Sequence, residues 1–154
     1  EENIRQNQFQ NIEIHAKAVW IHEEGILLAQ EGADGGSIFG DKNQIKVPSV
    51  RLKSLLAAEK KPIDMLKMDI EGAESAVLAD CREELHKVQN LFVEYHAYHQ
   101  APQKLEDLLK VLAEAGFRYY IEQVLSRKSP LVNHYYKNEQ LMDLQLNIFA
   151  YRKS

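Results

Sequence analysis

The sequence predicts an α/β fold, an open and mostly parallel sheet crossed by helices, with an antiparallel strand at one edge. Three observations carry that expectation. Two nearly continuous apolar runs, Ile63–Ile70 and Leu91–His96, have the composition of strands buried on both faces of a parallel sheet. After each of them, apolar residues recur at helical spacing: Ala73, Val77, Leu78, Cys81 and Leu85, then Leu105, Leu108, Leu109, Leu112 and Ala115. Finally, the strand-like Phe117–Val124 and the alternating Leu144–Tyr151 have no helix between them, so they should pair antiparallel at one edge.

The remaining elements follow in order. Glu1–Asn7 reads as the tail of a helix, and Ile12–Trp20 alternates as a half-buried strand does. Gly25–Ala29 is a second apolar burst, followed by the glycine cluster Gly32–Ser37, which supplies positive φ angles and reads as a turn. Ser37–Phe39 then runs back as a hairpin strand. Those glycines do not follow a strand and open a helix in the spacing of a dinucleotide loop, so phosphate binding is not expected. Ile45–Val47 is a short strand ended by Pro48, and Leu52–Glu59 a short helix. Pro102 suits the first turn of the next helix, and Gly116 its C-terminal cap. Ser126–Glu139, containing Pro130, reads as a loop, and its Tyr135–Tyr136 pair could cover a substrate. One tyrosine of the Tyr119–Tyr120 pair should lie in the core.

A chain of 154 residues suits one domain and can bury about two-thirds of its unfolded surface. The net charge of −4, with Lys and Arg scattered singly among acids, argues against nucleic-acid binding. A single cysteine, Cys81, excludes an internal disulfide and any multi-cysteine metal site, and fits a reducing, cytoplasmic setting. No run of about 18 apolar residues exists to span a membrane. The first seven residues lack the basic start and apolar stretch of a signal peptide.

Ligands of open α/β sheets bind beyond the carboxyl ends of the strands. Two such ends concentrate polar residues: Asp69-Ile70-Glu71-Gly72-Ala73-Glu74 and Glu94-Tyr95-His96-Ala97-Tyr98-His99. Glu71 and Glu74 fall three apart at a helix start, where acids can simply complement the helix dipole. Lys67 sits inside an apolar strand two residues before Asp69, on the same side of the sheet, and burial there would demand an acidic partner. Glu94 and His96 also share a strand face, and a neighbouring carboxylate raises the basicity of an imidazole. His96-x-x-His99 offers two imidazoles without a third ligand, so no metal is expected. His15, His22, His86 and His134 read as surface or packing residues.

The segment Ile63–Glu74, followed by Val77-Leu78, resembles the signature of the FkbM methyltransferase family, and its flanks Ala18-Val19, Val50–Leu56 and Phe92–Glu94 agree in order and spacing. The resemblance implies a class I methyltransferase fold, S-adenosylmethionine (SAM) as donor, and O-methylation of a hydroxyl on a small molecule such as a sugar or secondary metabolite. It implies that Asp69 lies where methyl donor and acceptor meet, with Lys67, Glu71 and Glu74 as the signature's other polar residues and Glu94 as the acid at the next strand end. From the residues themselves, Asp69 and His96 are the candidate catalytic base or orienting group, Lys67 and Glu71 act beside them by holding the acceptor or fixing the loop, and Glu74, Glu94 and His99 are read as acceptor-binding. Ala18, Val19 and Asp69 would lie toward the cofactor. The family's glycine-rich SAM loop and ribose-binding acid belong ahead of residue 1. Residues 1–154 therefore read as a single partial domain without those first strands, whose own SAM binding is doubtful. Lys53 also stands where the family often has Asp. Two other readings remain open. Asp69-Ile70-Glu71 resembles the acid-x-acid metal motif of glycosyltransferases, though no metal-specific His or Asp set stands beside it in the sequence. A non-catalytic scaffold is the other, since an open strand edge would promote homo-oligomers.

Overall fold

In the computed structural model, residues 2–31, 35–37, 44–99, 101–124, 129–132 and 142–153 are described. The elements run α1 (Glu2–Gln6), β1 (Ala18–Trp20), β2 (Ile26–Glu31), β3 (Gly35–Ser37), β4 (Gln44–Val47), β5 (Ser49–Arg51), α2 (Leu52–Ala58), β6 (Ile63–Met68), α3 (Glu74–Cys81), β7 (Val88–Tyr98), α4 (Leu105–Glu114), β8 (Arg118–Gln123) and β9 (Met142–Tyr151). A 3-10 turn over Arg82–Lys87 joins α3 to β7. The class is mixed α/β, as expected.

The main sheet has the order β6-β7-β9-β8. β6 and β7 are parallel, whereas β9 runs antiparallel to both β7 and β8. The last two strands thus pair at one edge as anticipated, with β8 outermost and the reversed strand β9 one place inside. β1 and β5 form a separate parallel pair. β2 is flanked antiparallel by β3 and β4, so a hairpin return exists, but it lies at Gly35–Ser37, inside the segment expected to be the turn, because glycines leave the extended conformation open as well as the turn. Gly32–Asp34, Ile38–Phe39, His134 and the Tyr135–Tyr136 pair lie outside the described residues.

The core lies where α3 and α4 cover one face of this sheet. Leu78, Leu85, Leu91, Leu108, Leu112 and Ile148 are fully buried there, each contributing about 1.5–3 kcal/mol through apolar burial. Cations tie the chain segments around it. Arg152 donates to the carbonyls of Leu85 and Val88 at 2.8 and 2.9 Å, and its guanidinium lies 4.3 Å from the Phe117 ring centroid. Lys87 donates to the carbonyls of Leu56, Ala57 and Glu59 at the end of α2. Gly116, at φ +81°, closes α4 as its expected cap.

Several expectations need correction. The strand over Ile12–Trp20 shrinks to Ala18–Trp20, and Ile12 and Ile14 are exposed. Pro48 separates β4 from β5 and has no N–H, so the ladder that receives β1 is three residues long. β6 is not buried on both faces. Among the described residues it pairs only with β7, and Asp64, Met65 and Lys67 are exposed. Within the β6–β7 pair, two-sided burial appears at the carboxyl end of β7, at Tyr95, His96 and Ala97. Pro102 precedes α4 rather than opening it. Tyr95 Oη accepts the Lys104 N–H at 3.0 Å and Ser75 Oγ donates to the Lys104 carbonyl at 3.1 Å, which pins the helix start at Lys104–Leu105. Tyr119 and Tyr120 are both exposed, because β8 is an edge strand.

Candidate active site

The site is built on the turn between β6 and α3. After β6 ends at Met68, Glu71 (φ +54°) and Gly72 (φ +96°) are both left-handed, and α3 starts at Glu74. Glycine takes that conformation freely, whereas for Glu71 it costs about 1–2 kcal/mol. Local bonds hold the bend in place. Glu74 Oε1 accepts the N–H groups of Ile70 and Gly72 at 3.3 and 3.1 Å, and Tyr98 Oη donates to Glu71 Oε2 at 2.5 Å. Glu71 therefore does not share a helix face with Glu74. It stands outside the helix, turned toward β7.

Glu74 is completely buried. It is not a surface acid at a helix end: its carboxylate is taken up by donors inside the fold. Its third donor is His96, whose Nδ1 lies 3.1 Å from the same Oε1. A carboxylate oxygen only accepts, so the bond places the proton on Nδ1 and the lone pair of the neutral ring on Nε2. The Glu74 side chain thereby fixes both the tautomer and the orientation of His96.

Nε2 faces more acids, 3.9 Å from Glu71 Oε2 and 3.8 Å from Glu94 Oε1. Burial opposes a charge on the imidazole. The Glu74 hydrogen bond and the charges of Glu74, Glu71 and Glu94 outweigh it, holding His96 above its ordinary pKa. Glu94 was the expected neighbour of His96 on its own strand. The direct hydrogen bond comes instead from Glu74 at the start of α3, while Glu94 is fixed by Gln145 at 2.5 Å.

Asp69 completes the group. Lys67 Nζ reaches it at 3.2 Å, so the expected pairing exists, but the Lys67 side chain is 63% exposed. The pair is therefore a solvated one and carries little energy. Asp69, Glu71 and His96 each offer an atom within 4.8 Å of the others, an arrangement able to hold a cation. The sequence showed no third ligand because the carboxylates and the imidazole come from different strand ends. His99 stands apart from them, with Nδ1 3.4 Å from Asp143 Oδ1.

Beside His96 opens a cavity of about 200 Å³, walled by Trp20, Tyr95, Tyr98, Pro102 and Lys104 among others. Ala18 and Val19 do not line it; the next residue, Trp20, does. Trp20, Tyr98 and Gln145 were missed as site residues. Tyr98 had a readable signal, since it lies two residues beyond His96 on the same strand face. Gln145 had none, because only the β7–β9 register sets it opposite His96 and two positions from Asn147, the partner of Glu94.

Residues 5–119 match the model of the methyltransferase FkbM domain. The chain belongs to the FkbM methyltransferase family. The match takes in the β6–α3 turn and all of β7, and so every residue of the Asp69–His96 group. Neither the curated proteins nor the solved structures include a match to the chain. Among the described residues, no helix of this FkbM-family chain is long and apolar enough to cross a membrane.

Proposed function

We propose that this protein is a SAM-dependent O-methyltransferase acting on a hydroxyl of a sugar or secondary metabolite. The observation that carries this reading is the buried Glu74–His96 pair, set beside Asp69 and Glu71 where strand ends and an open cavity meet. In a structural role, a histidine with so many acidic neighbours would serve only to neutralise them. Here Nε2 is left without a hydrogen bond and lies toward the residues at the strand ends.

SAM, when bound, supplies a methyl group activated by its sulfonium. The cavity of about 200 Å³ is smaller than the roughly 300–1,000 Å³ of pockets that enclose a whole drug-sized ligand. These residues accordingly fit the transfer end of the donor and the acceptor hydroxyl, with Trp20 and Tyr98 as aromatic walls. Asp69 and His96 engage the acceptor oxygen, and the carboxylates around them take up its proton. Glu71, held by Tyr98, and Lys67, paired with Asp69, keep that group in place. Alignment of this kind lowers the barrier by removing the entropy of bringing the reactants together.

The test is methyl transfer by the full-length protein carrying His96→Gln, which can still bond to Glu74. The expected loss in kcat is about 10²–10⁴-fold, with SAM affinity unchanged. A wild-type rate in that variant would overturn the reading.

A further inference from the structure

Asp69, Glu71 and His96 approach one point from two neighbouring strand ends, their ligand atoms within 4.8 Å of one another. Two atoms bound to one ion at about 2.1 Å stand about 3 Å apart when cis and about 4.2 Å apart when trans. The 3.9 Å between Glu71 Oε2 and His96 Nε2 lies inside that range.

Acidic clusters are common, but two further features distinguish this one. The His96 side chain is 3% exposed, and its Nε2 is aimed at Glu71 and Glu94 at distances too long for hydrogen bonds. The Nε2 atom of a largely buried ring is thus directed at the point the carboxylates surround. On the other side of the ring, Nδ1 donates to a fully buried carboxylate, Glu74. That is the arrangement by which proteins orient metal-binding imidazoles. The charge balance agrees. Asp69, Glu71, Glu74 and Glu94 converge here, and the Lys67 that pairs with Asp69 is largely in solvent.

We infer that Asp69, Glu71 and His96 Nε2 bind one divalent transition-metal ion, which in turn binds the acceptor hydroxyl. Imidazole beside carboxylates suits Mn²⁺ or a similar ion better than the all-oxygen sites of Ca²⁺. Its purpose, though not its binding, rests on the methyltransferase reading. The ion polarises the hydroxyl, the O–H bond breaks, and the electron pair stays on oxygen for methylation. The proton passes to Glu94, the remaining carboxylate beside Nε2.

Mn²⁺ titrated into the metal-stripped, full-length protein, with neither SAM nor acceptor present, tests the site. One equivalent should bind with micromolar affinity. Asp69→Asn and Glu71→Gln should each weaken it by at least about 10-fold, and Glu74→Gln by about 10–100-fold. Circular dichroism of each metal-free variant would show that it is folded. No saturable binding at millimolar Mn²⁺, or binding that all three substitutions leave unchanged, would overturn the inference. Mn²⁺ bound at this site by a protein that transfers no methyl group would uphold the site and refute only the proposed activity. Methyl transfer that persists in chelator, without Mn²⁺ binding, would refute only the metal.

Discussion

At the scale of single residues, one carboxylate organises the site. Glu74 gathers two backbone N–H groups and one imidazole on a single oxygen, joining a strained turn to the end of the neighbouring strand. A second acid, Asp80, does comparable work on the far side of α3. Arg51 grips it bidentately at 2.9 and 2.6 Å, and that bond holds its carboxyl below the ordinary value of 3.8 against the opposing effect of burial. A carboxyl depressed by folding stabilises the protein above its unfolded pKa, and that contribution is lost as pH falls through the folded one. Asp80→Asn should therefore lower Tm near pH 7, with the gap to wild type closing as pH falls below about 4. Melting curves across that range would check it; an equal gap at every pH would contradict the pairing. Cys81 has no such role. It is fully buried, and desolvation pushes its thiol up to about 12, so it packs as a small apolar side chain.

At the scale of elements, most of the fold was legible where periodicity reports burial. α3 and α4 appear because Val77, Leu78, Cys81, Leu108 and Leu112 mark their inner faces. β6 misled because an apolar run states what a strand could bury, and its neighbours decide what it does bury. Met65 is 55% exposed in a segment that reads as core. Alternation over Ile12–Trp20 failed for a similar reason, as only Ser49–Arg51 receives it. Caps were less readable still. Lys87 ends α2 from 28 to 31 positions away, a contact made by tertiary packing and absent from any local pattern. Lys87→Met keeps the apolar stem and removes the three donors, so it should cost about 1 kcal/mol. Chemical denaturation would measure this, and unchanged stability would show that the capping bonds contribute nothing net.

At the scale of the whole molecule, the sheet order β6-β7-β9-β8 sets the site where two parallel strands end together. The clustered side chains Asp69, Glu71, Glu94 and His96 all stand at strand ends the sequence marks, because strand-end position is a linear property. Their relations could not be read from it. The bond from Glu74 to His96 is one of them, because the burial of Glu74 depends on how α3 packs against β7. Lys67 was expected inside the sheet and lies in solvent at its edge. The central claim is that this group activates a hydroxyl for methylation. Its most direct test is transfer of a labelled methyl group from SAM to hydroxylated sugars and secondary metabolites by the full-length protein, wild type beside Asp69→Asn. The account predicts labelled acceptor with the wild type and a loss of at least about 10²-fold in the variant, both binding SAM equally. Undiminished transfer by Asp69→Asn, or a wild type that binds SAM and labels no hydroxyl, would contradict it.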